Sequence, residues 1–141
     1  MARAGAPVEG LAPSVDFAQT LLSRLGLAQP YGMQGTDLGP MITGAAEDLC
    51  DHVFLEDDRE RVYLGLSEPQ HLRSIVTRSH RLTVYNPMHW SELFDLDNDP
   101  HEVNNLWRDP AASDLRHRMT ERLLHACIEN DTRLPFSTGM A

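Results

Sequence analysis

The sequence predicts an α+β fold: a small antiparallel sheet of about four strands covered by a long carboxy-terminal helix. Two observations carry this. Between His52 and Asp97, runs rich in branched and aromatic residues alternate at period 2 and are separated by polar or turn residues. Past Asp99 the period changes to that of a helix, with Leu115, Met119, Leu123, Ala126 and Cys127 along one face. Sequential short strands of this kind pair antiparallel, and a single long helix can bury one face of such a sheet.

Taken in order, the first element is a helix. Ser14 follows Pro13 as a candidate N-cap, and Val15, Ala18, Leu21, Leu22 and Leu25 recur at helical spacing, with Asp16 in the first turn, Arg24 in the last and Gly26 just beyond. Residues 29–44 are rich in Gly and Pro, and Leu38, Met41 and Ile42 are arranged for at most one helical turn. Met33, Leu38, Met41 and Ile42 need cover, so this is an ordered connector. The strand runs are His52–Glu56, Arg61–Leu66, Arg73–Thr77 continuing through a turn near Ser79 to Leu82–Tyr85, and Glu92–Leu96. The charge run Glu56–Arg61 reads as a solvated turn. Asp109 and Pro110 cap and enter the final helix, expected to reach Ile128. The expected divisions are a flexible start (1–13), helix plus loop (14–46), a sheet-and-helix subdomain (47–130) and a frayed tail (131–141).

Composition narrows the function. The chain has 141 residues, 41% of them hydrophobic, enough for one core. Its 12 basic against 21 acidic residues give a net charge of -9, a field that repels phosphate backbones and anionic headgroups. Neither nucleic acid nor a membrane surface is expected as a partner. All basic residues are arginine, as a GC-rich genome favours, so lysine chemistry is excluded. No signal peptide or membrane span is expected, and the default location is cytoplasmic. Cys50 and Cys127 have no CxxC spacing and suggest neither a disulfide framework nor a zinc site.

One segment is more specific. Leu93-Phe94-Asp95-Leu96-Asp97-Asn98-Asp99-Pro100-His101-Glu102-Val103-Asn104-Asn105-Leu106-Trp107 resembles the signature that ends the sheet in the sulfatase family, a branch of the alkaline phosphatase superfamily. Locally, a strand should end at Leu96, Asp99 should cap a short helical turn entered by Pro100, and Glu102 should reach back to the Asp99 amide. Leu106 and Trp107 then anchor the crossing to the last helix. Residues 14–26 and 32–40 resemble the last helix and loop of the family's large α/β catalytic domain, and Arg78-Ser79-His80-Arg81 resembles a hairpin of its smaller domain. Gln19 stands where the family usually has proline, and Thr83 where it usually has lysine.

The resemblance implies a hydrolase of sulfuric esters that uses a formylglycine, made within a C/S-x-P-x-R motif, and a calcium ion held by Asp and Asn side chains. Neither can be placed on this sequence, so no catalytic, cofactor-binding or metal-binding residue is expected. Ser67-Glu68-Pro69-Gln70-His71 has Ser-x-Pro but ends in His, and reads as a turn. Asp95-Leu96-Asp97-Asn98-Asp99 opens like a calcium loop, yet Pro100 replaces the required glycine and Leu106 the required glutamate. His71, His80 and His89 share no metal-ligand spacing. The expectation is the C-terminal portion of a sulfatase-like hydrolase, with the absent catalytic portion or self-association through the first helix as partner. The alternatives are a free-standing interaction module and an independent small hydrolase. Retention of Val15–Ile42, which a module would not need, favours the first.

Overall fold

A computed structural model describes residues 7–8, 10–62 and 67–132. The chain divides into two compact units, one of residues 1–51 with 129–141 and one of residues 52–128. The expected flexible start and frayed tail fall largely outside the described residues.

In the second unit, strands β1 (Val53–Asp58), β2 (His71–Val76), β3 (His80–Asn86) and β4 (Ser91–Asp95) form a sheet in the order β1-β2-β3-β4, antiparallel throughout. The register lines up Phe54, Ile75, Leu82 and Leu93 as one row across all four strands. Ile75, Leu82 and Leu93 are completely buried, and Met119, Leu123 and Ala126 of the last helix, α3 (Ser113–Thr132), pack with them. At about 25 cal/mol per Å² of apolar surface removed from water, three fully buried side chains of this size stabilise the unit by several kcal/mol. The row is therefore the mechanical axis of the domain. The opposite face carries Ser74 and Thr83, which are register partners, are also buried, and are hydrogen-bonded to each other at 2.8 Å.

The strand count agrees with the sequence reading, but its distribution differs. The third run supplies both β2 and β3, joined at a tight turn in which the Thr77 backbone amide and hydroxyl donate to the His80 carbonyl. The expected strand at 61–66 is not seen at Arg61 and Val62, and its remainder lies outside the described residues. Instead β1 continues through the charge run to Asp58. Strand register sets Glu56 opposite Arg73 and Asp58 opposite His71; Arg73 pairs as a cation with Glu56 and Asp58, and His71 Nδ1 bonds to Asp58 across the strands. The acidic residues are part of the ladder rather than a solvated turn.

The first unit holds α1 (Asp16–Arg24) and the single turn α2 (Gly39–Thr43), as expected. Its N-cap is Val15, with no side-chain cap bond, so Ser14 does not cap it. Asp16 does not serve as an exposed first-turn charge. It is buried and accepts the Thr36 amide, while Thr20 donates to the Asp16 carbonyl and accepts the Leu38 amide. Gly35 lets the connector pass this close, because a Cβ there would lie 2.6 Å from the Val15 carbonyl oxygen and its φ is +106°.

Entry to α3 follows the expected chemistry. Asp109 accepts the Ala111 amide and Pro110 opens a short 3₁₀ turn, after which the helix runs past Ile128 to Thr132. Among the described residues no helix is long and apolar enough to cross a membrane.

Candidate functional site

Two of the segments that carry the family resemblance, 78–81 and 93–107, meet at Arg81. It lies on β3, on the sheet face opposite α3, between Thr83 and the β4 residues Glu92 and Phe94. Its Nε and Nη2 donate to the two carboxylate oxygens of Glu102 at 2.7 and 2.6 Å, a bidentate fork. Nη1 donates to the Thr83 hydroxyl at 2.8 Å and to Glu92 at 3.2 Å, and the guanidinium sits 5.0 Å over the Phe94 ring. The Glu102 fork, with Glu92 beside it, raises the Arg81 pKa further, so the cation is permanent.

The loop that reaches Glu102 is organised from within. Asp95 accepts the Asp97 and Asn98 amides and the Asn98 carboxamide; these bonds, led by that from the Asn98 side chain, hold its pKa below the usual carboxylate range. Asp99 accepts the Val103 and Asn104 amides at 3.1 and 2.7 Å. The capping box expected between Glu102 and the Asp99 amide does not form. Glu102 instead takes a left-handed backbone, φ 55°, and turns to Arg81, whose fork offers two charge-assisted bonds where the amide offered one neutral donor.

Asn105 completes the site. Its carboxamide oxygen accepts the Leu93 and Trp107 amides and its nitrogen donates to the Ser91 carbonyl, so one side chain pairs the outer edge of β4 as another strand would. Asn105 stood inside the recognised segment without an assigned role. Its signal was only its place just before Leu106, which it links to the core through the 3₁₀ turn Leu106–Arg108. Arg116 of α3 closes the arrangement by donating to the Trp107 carbonyl at 2.6 Å and lying over its ring.

The residues weighed as chemical candidates are not brought together. His71 pairs in register with Asn86, and His80 with Asp95, which puts the two at opposite ends of the β2–β3 hairpin. Ser67 and Glu68 are exposed, in the bend before β2. The Asp95 and Asp99 carboxylates are engaged by the loop's own amides, and among the described residues no group of three or more His, Cys, Asp or Glu could hold a metal. A calcium ion does not fit this donor set. Burial, with the Glu92 charge beside it, pushes the Tyr85 phenol up to about 12, so it is a neutral donor to Glu92 and not a base. Cys50 and Cys127 form no disulfide among the described residues, and both are partly buried. The geometry can hold a loop and a sheet edge in one shape; the Ser79 hydroxyl lies 2.7 Å from His80 Nδ1 at the β2–β3 turn.

The model of the family described as N-sulphoglucosamine sulphohydrolase, C-terminal, matches residues 2–129. The chain belongs to this family. The chain is also 31% identical over 138 residues to the multifunctional alkaline phosphatase superfamily protein PehA of Trinickia caryophylli, covering 87% of this chain and 26% of that protein. Among solved structures, a 2-O GAG sulfatase is 26% identical with a TM-score of 0.69, covering 83% of this chain and 24% of the other. A phosphonate monoester hydrolase from Silicibacter pomeroyi shares the fold, with a TM-score of 0.77 at 24% identity, over 92% of this chain and 27% of its own. The chain thus spans about a quarter of the length of the relatives it matches. It is a C-terminal domain of the sulfatase and alkaline phosphatase superfamily type.

Proposed function

We propose that this chain is the non-catalytic C-terminal portion of a sulfatase-like hydrolase and turns over no ester by itself. The observation that carries the reading is the match of residues 2–129 to a C-terminal family model, in a chain a quarter the length of its relatives. The sequence contains neither a C/S-x-P-x-R motif nor any lysine, so formylglycine and its helper residues belong to the catalytic portion, and calcium with them. In this reading the Arg81–Glu102 and Asn105 contacts fix a loop and a sheet edge as rigid scaffold. The docking surface for the α/β portion is the face of α1 on which Phe17, Leu21 and Leu25 are exposed. The net charge of -9 disfavours nucleic acid and anionic membranes as partners.

The purified chain, assayed with 4-nitrophenyl sulfate and with a phenylphosphonate ester, with and without calcium, should show no turnover above background. Turnover that survives repurification and disappears in Ser67→Ala would sink the reading.

A further inference from the structure

A cleft of about 440 Å³ opens between α3 and the end of the β2–β3 hairpin, within the sheet-and-helix unit. The volume falls within the range of small-molecule sites. Its walls are Val84 from β3 and Leu123, Leu124 and Cys127 from α3, with Thr120 beside them, whose hydroxyl donates to the Arg116 carbonyl of its own helix. Leu124 is 60% exposed, so the helix offers there an apolar side chain that the core does not use. At the other end stand two polar side chains, His71 and Asn86, which are direct partners across the β2–β3 register and so project side by side.

The polar end has a definite donor and acceptor pattern. His71 Nδ1 lies 2.9 Å from Asp58, and a carboxylate only accepts, so Nδ1 carries a proton and Nε2 is the ring nitrogen left to accept. Asp58 stays ionised, because Arg73, and after it His71, hold its pKa down at about 2. Among the described residues, nothing engages His71 Nε2 or the Asn86 carboxamide. Arg73 also borders the cleft, but its guanidinium is bound by Glu56 at 2.8 Å and by Asp58 at 2.8 Å, so it gives no free positive charge to an anion. The electrostatics therefore disfavour a carboxylate or a sulfate. They suit a neutral hydroxyl, which can donate to His71 Nε2 while accepting from the Asn86 NH₂.

We propose that this cleft binds a neutral aromatic alcohol of the phenol class. The ring lies against Val84, Leu123 and Leu124, and the hydroxyl is held between His71 and Asn86. The site is independent of the scaffold function above, since it uses neither the α1 face nor the Arg81 loop.

The test titrates 2-naphthol into the full chain and follows backbone amide shifts, with 2-naphthyl methyl ether and 2-naphthoate as comparators. Saturable shifts are expected at Val84, Asn86 and residues 123–127. The ether, which cannot donate, and the anion should each bind about tenfold more weakly, the worth of one hydrogen bond of this kind. His71→Phe and Asn86→Ala, both at solvent-accessible positions, should weaken 2-naphthol by a similar factor while leaving the thermal midpoint unchanged. In a second readout, 2-naphthol should slow alkylation of Cys127 but not of Cys50. The proposal is overturned by the absence of saturable shifts at the solubility limit, by shifts centred elsewhere, by equal binding of the ether or the anion, or by unchanged Cys127 alkylation.

Discussion

The two units of this chain are held together by opposite means. In residues 52–128 an apolar row crosses the sheet and is closed by α3, with polar contacts on the other face, at the β4 edge and at the end of the β1–β2 ladder. In the first unit it is the polar side of α1 that is buried, through Asp16 and Thr20, while Leu21 and Leu25 are 63% and 71% exposed. Met119 and Leu123 of α3 are 3% and 6% exposed. Both helices show apolar residues at helical spacing. The pattern therefore marks a face that must be covered, and only the structure tells whether the chain itself covers it.

The largest expected effect tests that contrast directly. Leu82→Ala removes the centre of the buried row and should lower unfolding stability by about 2–5 kcal/mol, as for large-to-small substitutions in other well-packed cores. Leu21→Ala deletes the same side chain from an exposed position and should change it by no more than about 0.5 kcal/mol. Urea unfolding of the two variants measures both. Comparable losses would mean that α1 is already covered in solution, by self-association or otherwise, and sedimentation of the wild-type chain would show which.

A middle-sized effect belongs to the contact that joins the recognised segments. Arg81→Met keeps the stem over Phe94 but removes the bonds to Glu102, Glu92 and Thr83, and should cost about 2 kcal/mol by the usual worth of hydrogen bonds to charged groups. Glu102 sharpens the point, because its left-handed backbone is a strain that the fork offsets. Glu102→Ala loses the fork and keeps the strain, whereas Glu102→Gly loses both. Glycine should therefore be the milder substitution by about 1 kcal/mol. Thermal unfolding of the pair decides it, and an equal loss would show that the loop relaxes once Arg81 lets go.

What the sequence revealed, and what it hid, follows the range of the interactions. The sheet and α3 were legible because alternation and helical spacing are local patterns, and so was the cap at Asp109, whose partner is two residues away. At Arg61 and Val62 no strand forms, because branched content marks a strand only when a neighbouring strand is free to pair with it, and β2, joined to β1 and β3, has no free edge. The acidic end of β1 was hidden because its charges are matched by residues on another strand. Glu102 illustrates the same limit: three residues after Asp99 it fits a capping box, but its partner lies 21 residues back in the chain. Asn105 was visible as part of a motif, yet its work on the β4 edge requires knowing that β4 is an edge. The lack of a lysine and of a C/S-x-P-x-R motif is readable from residue types alone.

The smallest expected effect is electrostatic and returns to the charge run. Asp58 accepts from Arg73 and His71 across the β1–β2 ladder, and those bonds, Arg73 first, depress its pKa to about 2. A carboxyl group whose folded pKa lies below its unfolded value binds protons less readily in the folded state. Its contribution is therefore complete above the ordinary carboxylate range and is lost as pH falls from there through about 2. Asp58 is exposed, so solvent and salt screen the pair and its contribution at neutral pH is small. Asp58→Asn should accordingly leave the thermal midpoint at pH 7 almost unchanged but flatten its decline between pH 4 and pH 2 relative to wild type. It should also free the His71 ring from its fixed tautomer, which the imidazole ¹⁵N shifts would report. A decline as steep as that of wild type would assign the acid sensitivity of the sheet to another carboxylate, with Asp95, also depressed in the folded state, the next to substitute.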